Sequence, residues 1–459
     1  MSRVTSTATQ GRGGAPGCGR DRFLYPGMIL PFAVIVLCFA AWGLAGNMTD
    51  PLVAVFGSVF SMSAFQSSLV QFAYYGAYFM LAIPAAWLNA RLGYKGGVLI
   101  GLGLAAVGGY LFFPAASLMT YGWFLAALFT LAAGLSILET SANPYVMAMG
   151  PESTATRRLN FAQAFNPVGS NLGVMIAGVA ILPFISEATV EQRAAMGPDA
   201  LRQMQSGELQ AVMGPYLGLA TLYLIIAVAI ALVKVPKNEK LVGMNHPMAP
   251  AAENLPGTVF SRLISNRLYR FGVIAQFFNI AVQTCVWTFI IHYGTQVVGL
   301  DNTDAGKWLQ ASVLIFLVGR FAMVVLMGRF DPRKLMLLMT VIGLGLSIVA
   351  VVSANIVGMI AVVLLSGCFA LLFPTIYAVS LQGVGADVKW GAAGLVMAII
   401  GGAVVPPLQG ALLDATSVPV SFLIVVGGFA AIVAFALYTL KGGAERPSVE
   451  GEPAREQTA

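Results

Sequence analysis

Apolar residues fill the chain in long unbroken runs, and polar residues gather in the shorter stretches between them. A helix needs about 20 predominantly apolar residues to cross a bilayer. Twelve such runs are present, at 28–56, 63–89, 96–116, 119–148, 159–186, 212–235, 268–298, 306–327, 334–353, 356–382, 391–413 and 418–440. Several exceed the length of a straight crossing, which permits tilt or kinks. The pattern predicts an all-α membrane protein with twelve transmembrane helices.

The longest interior polar segment, 236–267, carries VPKNEK at its start and HPMAPAAENLPG further on, and it divides the runs six and six. The expected organisation is a disordered tail at 1–27, a six-helix bundle at 28–235, a linker at 236–267, a second six-helix bundle at 268–440 and a tail at 441–459. The loop near 186–211 reads as solvated, with room for short helices. The halves echo one another: RLGYK follows the second run and RFDPRK the eighth, while NPYVMA and FPTIYAVS place Pro144 and Pro374 correspondingly. Repeated halves and prolines in matching spans are a transporter pattern. Together with the six-and-six division they predict two pseudo-symmetric bundles in the major facilitator arrangement.

Composition agrees. Hydrophobic residues make up 58% and charged residues 10%, whereas soluble chains carry about a quarter charged. The 51 glycines suit closely packed membrane helices. No cleavable signal segment is expected, since the first apolar run is too long for one. Cys18, Cys38, Cys285 and Cys368 are scattered, which predicts free thiols and neither a disulfide framework nor a metal site. The net charge of +6 would suit an acidic partner, but the basic residues stand between apolar runs, so no nucleic acid is expected. With both termini cytoplasmic, 21 Lys and Arg fall inside, only Arg193, Arg202 and Lys307 fall outside, and Arg320 lies within a span. That bias sets the orientation, and a multi-pass protein of a bacterial inner membrane, contacting only lipid and substrate and working as a monomer, is expected.

Two acidic residues lie well inside the first bundle: Asp50 in WGLAGNMTDPL and Glu139 in LETSANPY. A carboxylate at the bilayer centre costs about 2.5–3.5 kcal/mol on insertion scales and normally faces the bundle interior or a wet cavity. Apart from Lys234 at the very end of the sixth, no Lys or Arg stands within the first six runs to pair with them. Two titratable carboxyls without a fixed countercharge suit a proton relay. Neutral amides accompany them: Asn47, Asn143, Gln163 and Asn166 in the first half, Gln276, Asn279 and Gln283 in the second. Amides donate and accept hydrogen bonds, which matches sugar hydroxyls, and Tyr75 and Trp287 offer apolar faces for a pyranose ring. Residues 276, 279, 283 and 287 step by three and four, so they share one helix face, and that polar stripe is expected to line a cavity. Arg91, Lys95, Arg320 and Arg329 are expected at an inner gate, Arg320 with its head either snorkelling inward or paired near that gate.

LETSANPY, followed by GPESTATRRLNFAQAFNPVG, resembles the signature region of the fucose–galactose–glucose:proton symporters of the major facilitator superfamily. WGLAGNMTD, QFAYYGAYFMLAIPAAWLNARLGYKGG (which contributes Gln71), AQFFNIAVQTCVWTFIIHY, FLVGRF and GLVMAIIGGAVVPPLQG extend the likeness over about residues 28 to 440. The resemblance implies a twelve-helix symporter that imports a neutral hexose with a proton, with no other cofactor. It puts the membrane carboxyls at Asp50 and Glu139 and cavity contacts at Gln163, Gln276, Gln283 and Trp287. Departures at Gly46, Ser141, Tyr145 and Asn279 leave L-fucose, glucose, galactose and N-acetylglucosamine open.

Two rivals differ in their requirements. A proton-coupled exporter of drugs or other apolar compounds favours an aromatic cavity with few amides, against which the 276–287 stripe counts. An enzyme needs a nucleophile–base pair, a metal cluster or a phosphate loop, and His246 and His292 stand too far apart to build one.

Overall fold

The structure, a computed structural model, describes residues 22–59, 64–184, 186, 192–193, 195–234 and 257–441, with the side chains of 49–72, 178 and 182 outside that description. The expected tails, most of the linker and Cys18 therefore lie outside the described residues. Those that are described form helices and turns, with no strand among them.

The first bundle comprises α1 (Ile29–Val59), α2 (Ala64–Leu118), α3 (Tyr121–Ala148), α4 (Ala155–Gln163), α5 (Asn166–Ala180) and α6 (Pro198–Leu232). At 55 residues α2 is too long for one crossing. It folds back at Gly93, whose φ of 72° is open to glycine and costly to other residues. Both arms pack on α3. Ser136 Oγ donates to the Tyr78 carbonyl from the first arm, while Gly101 and Gly108 of the second arm abut Leu138 and Leu131 in antiparallel order. The fifth crossing is α4 plus α5, interrupted at Ala164–Phe165 before Pro167. Neither piece, at nine and fifteen residues, has the length of a span by itself. Counting these two features, the described helices make six crossings in this half.

After a short helix α7 (Val259–Ser265), the second bundle comprises α8 (Arg267–Tyr293), α9 (Asn302–Leu326), α10 (Pro332–Val352), α11 (Ile356–Phe369), α12 (Leu372–Ser380), α13 (Val388–Met397), α14 (Gly401–Ala415), α15 (Val418–Ser421) and α16 (Leu423–Lys441). Here the pairs α11–α12, α13–α14 and α15–α16 each complete one crossing, giving six again. Met28 and Lys441 thus lie on one side of the molecule, called here the termini side, and the loops after α1 and α8 on the far side.

Two departures from expectation have clear causes. The sixth crossing begins at Pro198, not near 212, so much of the expected solvated loop is helix. Two of its charged residues neutralise one another: Arg193 and Glu208, 3% and 1% exposed, form a two-pronged pair at 3.0 and 2.6 Å, and Glu208 also accepts from the Ser186 amide, while Asp199 and Arg202 stay exposed. Secondly, Pro144 does not interrupt α3, whereas the crossing that contains Pro374 breaks four residues before it, at Ala370.

Close backbone approach holds the first bundle together. A Cβ on Gly169 would sit 1.8 Å from the Ala40 carbonyl oxygen, and one on Gly43 would sit 2.0 Å from that of Asn166, so α1 and α5 touch backbone to backbone. From α6, Tyr216 and Tyr223 donate to the Met48 and Ala41 carbonyls, both at 2.9 Å. Cys38, Cys285 and Cys368 are buried and unpaired among the described residues.

Candidate functional site: a cavity between the bundles

A cavity of about 1420 Å³ separates the two bundles. The first bundle supplies Trp42, Asn47, Tyr74, Tyr75 and Tyr78 from α1 and α2, and Asn166, Ser170 and Asn171 from α5. The second supplies Gln283, Thr284, Trp287 and Thr288 from α8, Gln310 from α9, and Ile399, Gly402 and Pro406 around α14. No Lys, Arg, Asp or Glu is among these lining residues. On α8 and α9 the lining positions fall in the half of each helix remote from the termini side. The cavity therefore belongs to the far half of the molecule.

Its wall is organised by hydrogen bonds. Trp42 Nε1 donates to the Tyr78 hydroxyl at 2.6 Å. Trp287 Nε1 donates to Ser366 Oγ at 3.0 Å, and Ser366 pairs with Ser312. Both indole N–H groups are thereby satisfied while the rings line the cavity, an arrangement that suits a ligand with one apolar and one polar side.

Beneath the cavity the polar groups change character. Glu139 is 1% exposed, and neither carboxylate oxygen has a partner among the described residues. One turn on, Asn143 accepts from Gln163 Nε2 at 2.9 Å through its Oδ1, while its Nδ2 is unpaired. The Asn143 side chain lies beside both Glu139 and Tyr377 of α12, although neither the carboxylate nor the Tyr377 hydroxyl makes a hydrogen bond of good geometry among the described residues. A buried polar group without a partner costs free energy, so this cluster is built to receive something that moves: a proton, water or substrate hydroxyls.

The expected stripe on α8 is split by this change of level. Gln283 and Trp287 line the cavity. Gln276 and Asn279 are fully buried below it, their side-chain atoms unpartnered among the described residues. They share the face, as their spacing requires, but the bundles have closed over them at the termini side. Asn47, Tyr75 and Asn166 line the cavity; Asn143 and Gln163 do not. The side chains of Asp50 and Gln71 lie outside the described residues.

The expected gate residues separate likewise. Arg320 does not snorkel. It is 5% exposed, stacks over the Phe316 ring with its Cζ 4.7 Å from the centroid, and donates to the Gln163 carbonyl at 3.0 Å. That carbonyl ends α4, where the break leaves it without a helical donor. Arg91 is exposed and stacks on Trp87. Lys95 donates to the Ala231 and Val233 carbonyls, closing the end of α6 within the same bundle. Arg329 is exposed. Of these four, only Arg320 has a described hydrogen bond across the bundles. Three further contacts cross the boundary on the termini side: Asn160 Nδ2 to Thr375 Oγ1 at 3.1 Å, Arg157 Nε to the Val324 carbonyl at 3.3 Å, and Lys389 over the Tyr94 ring.

The sequence reading passed over Trp42, Ser170, Asn171, Thr284, Thr288 and Gln310 as lining residues, and over Asn89 and Arg158 as buried ones. Arg158, fully buried, donates to the Val146, Met147, Gly150, Pro151 and Phe23 carbonyls. A polar residue in an apolar run was the available signal for Asn89. Arg158 gave none, because an Arg–Arg pair between runs reads as a solvated loop.

The family model of the Major Facilitator Superfamily matches residues 32–399. The chain is 40% identical over 395 residues to a Haemophilus influenzae protein named L-fucose-proton symporter, covering 84% of this chain and 89% of that one. It is 32% identical over 405 residues to a Brucella abortus protein named Glucose/galactose transporter, covering 88% and 92%. The crystal structure of the Major Facilitator Superfamily transporter FucP in the outward conformation superposes with a TM-score of 0.83 at 35% identity, covering 90% of this chain and 99% of that one. Two six-helix bundles around a cavity open in their far half, and these matches along nearly the whole chain, lead to one conclusion: the chain belongs to the Major Facilitator Superfamily.

Proposed function

We propose that the protein imports a neutral hexose together with a proton across a bacterial inner membrane, as a monomer with both termini in the cytoplasm. The observation that carries this reading is a cavity whose described lining consists of amides, hydroxyls and aromatic rings without a charged residue, together with a buried carboxyl that has no hydrogen-bond partner among the described residues. Relatives named as an L-fucose-proton symporter and a glucose/galactose transporter support the substrate class. The abundance of amides argues against an exporter of apolar compounds.

In this reading the far half faces outward, and the structure corresponds to the state that loads sugar. Asn47, Asn166, Gln283 and the faces of Tyr75 and Trp287 hold the sugar. Asp50 and Glu139 carry the proton, Glu139 standing where sugar binding changes its access to water. A neutral carboxylic acid tolerates the closed interior far better than a carboxylate does, so loading both ligands permits the bundles to rock. Alternating access then brings Asn143, Gln163, Gln276 and Asn279 into contact with the sugar as the termini side opens and Arg320 leaves the Gln163 carbonyl. Arg91, Lys95 and Arg329 shape the inner mouth.

Counterflow in proteoliposomes loaded with each candidate hexose, combined with an internal pH dye, tests the proposal. Exchange of at least one of L-fucose, glucose, galactose or N-acetylglucosamine, with hexose-dependent proton movement, is expected. Efflux of a hydrophobic dye driven by protons, without hexose exchange, would overturn it.

A further inference from the structure

Pro144 leaves a debt in the middle of α3. It has no N–H, so the carbonyl of residue 140 loses its helical donor, and the proline ring presses against that same carbonyl. Thr140 is fully buried, out of reach of bulk water. The missing donor comes from another helix: Asn89 Nδ2 lies 3.3 Å from the Thr140 oxygen. The other end of the same amide, Asn89 Oδ1, accepts from Ser141 Oγ at 2.8 Å. Asn89 is itself fully buried. A rotation exchanging its oxygen and nitrogen would set oxygen against the Thr140 oxygen, so the Thr140 contact fixes one orientation, while the Ser141 hydroxyl, also 2.7 Å from the Ile137 carbonyl, anchors the other end. Space for the amide is left by Gly97, where a Cβ would stand 2.0 Å from Asn89 Oδ1 and 2.4 Å from Ser141 Oγ.

We infer that Asn89 is a positioning residue for the coupling site: by supplying the hydrogen bond that Pro144 deletes, it fixes the turn of α3 that carries Glu139 and Asn143. Those two residues bracket the disturbed turn, Glu139 immediately before Thr140 and Asn143 immediately before the proline. Asn143 in turn holds Gln163, whose carbonyl is the Arg320 acceptor. A shift of the turn therefore moves the carboxyl, the amide and the contact between bundles together. The functional consequence rests on the proton–hexose reading above; the placement of Glu139 does not.

The test is a double-mutant cycle in the full-length protein in proteoliposomes. Pro144→Ala restores an N–H that reaches Thr140 within the helix, and it should make Asn89 dispensable. Asn89→Ala alone is expected to lower kcat/KM for proton-driven hexose uptake by about tenfold and to shift its pH profile; the same change in the Pro144→Ala background should cost about threefold or less, a clear departure from additivity. Equal losses in both backgrounds, or an unchanged pH profile, would overturn the inference. The carboxyl infrared titration of Glu139, identified by its loss in Glu139→Gln, needs no substrate. It is expected to shift in Asn89→Ala and to return in the double variant, and no shift would likewise overturn the inference. Wild-type protein that moves no hexose instead counts against the symport reading, and the infrared titration still decides on Asn89. If Asn89→Ala does not fold, Ser141→Ala removes only the second anchor and should give a smaller shift in the same sense; no shift would overturn the inference.

Discussion

Arg320 Nη1 donates to the carbonyl oxygen of Gln163 across 3.0 Å, joining α9 of the second bundle to the end of α4 in the first. A hydrogen bond from a charged group contributes about 1.5–3 kcal/mol. Arg320→Ala should thus shift the balance between the two faces by roughly tenfold or more toward the state open on the termini side. Labelling of Thr288→Cys by an impermeant thiol reagent from the far side should slow accordingly. Arg320→Lys should not restore it, because a lysine has no planar fork to stack on Phe316 while reaching the carbonyl. Unchanged labelling in Arg320→Ala would remove Arg320 from the latch.

Glu139→Gln makes the carboxyl permanently neutral. Counterflow should continue and become insensitive to pH over the range in which wild type varies. Concentrative uptake should collapse, since a potential of 100 mV is worth about 2.3 kcal/mol per coupled charge, roughly fiftyfold in accumulation. Hexose-dependent alkalinisation of the outer medium is the measurement. A variant that still concentrates hexose would take Glu139 out of the proton path.

Trp287 presents its ring to the cavity while Ser366 holds its edge. Trp287→Ala should raise the half-saturating hexose concentration by about tenfold or more, because aromatic contacts supply much of the apolar area available to a small ligand. Trp287→Phe, which keeps a ring but loses the edge bond, should fall between. Transport curves at fixed pH decide the order of the three proteins.

The Arg193–Glu208 pair lies outside the cavity and bears on stability rather than transport chemistry. Removing one partner of a buried pair strands the other, at a cost of about 3–5 kcal/mol. Arg193→Ala should lower the thermal midpoint in detergent by several degrees. Arg202→Ala, on the exposed face of the same helix region, should leave it unchanged.

The crossings were largely legible from hydropathy because burial in lipid demands unbroken apolar runs: 119–148 against Tyr121–Ala148, and 268–298 against Arg267–Tyr293. The start of the sixth crossing was not, since hydropathy registers the charges of Arg193 and Glu208 without knowing that they cancel. Glu139 was legible as an isolated charge, whereas Asn89 stands 51 residues from the carbonyl it serves, two positions before an arginine that marks a loop. The break at Ala164 followed from no single residue. Pro167 hints at it, but Pro144 leaves α3 whole because a side chain from elsewhere completes its ladder. The level at which Gln276 and Asn279 fall below the cavity depends on which face of the transporter is open, and a sequence encodes both faces at once.

Across the seal on the termini side, the described polar contacts set a charge or amide against a neutral partner, Arg320 and Arg157 against carbonyls, Asn160 against a hydroxyl and Lys389 against a ring, while the Phe165 and Phe321 rings meet edge to face. None of the three ion pairs among the described residues joins the two bundles. Exposed charge pairs weaken as salt shortens the Debye length from about 30 Å at 0.01 M to about 3 Å at 1 M. Contacts of a charge or an amide with a neutral group, as found here, have no charge pair for salt to screen. Ionic strength therefore has little purchase on this gate, and the rate at which it opens should be governed by proton and sugar occupancy alone.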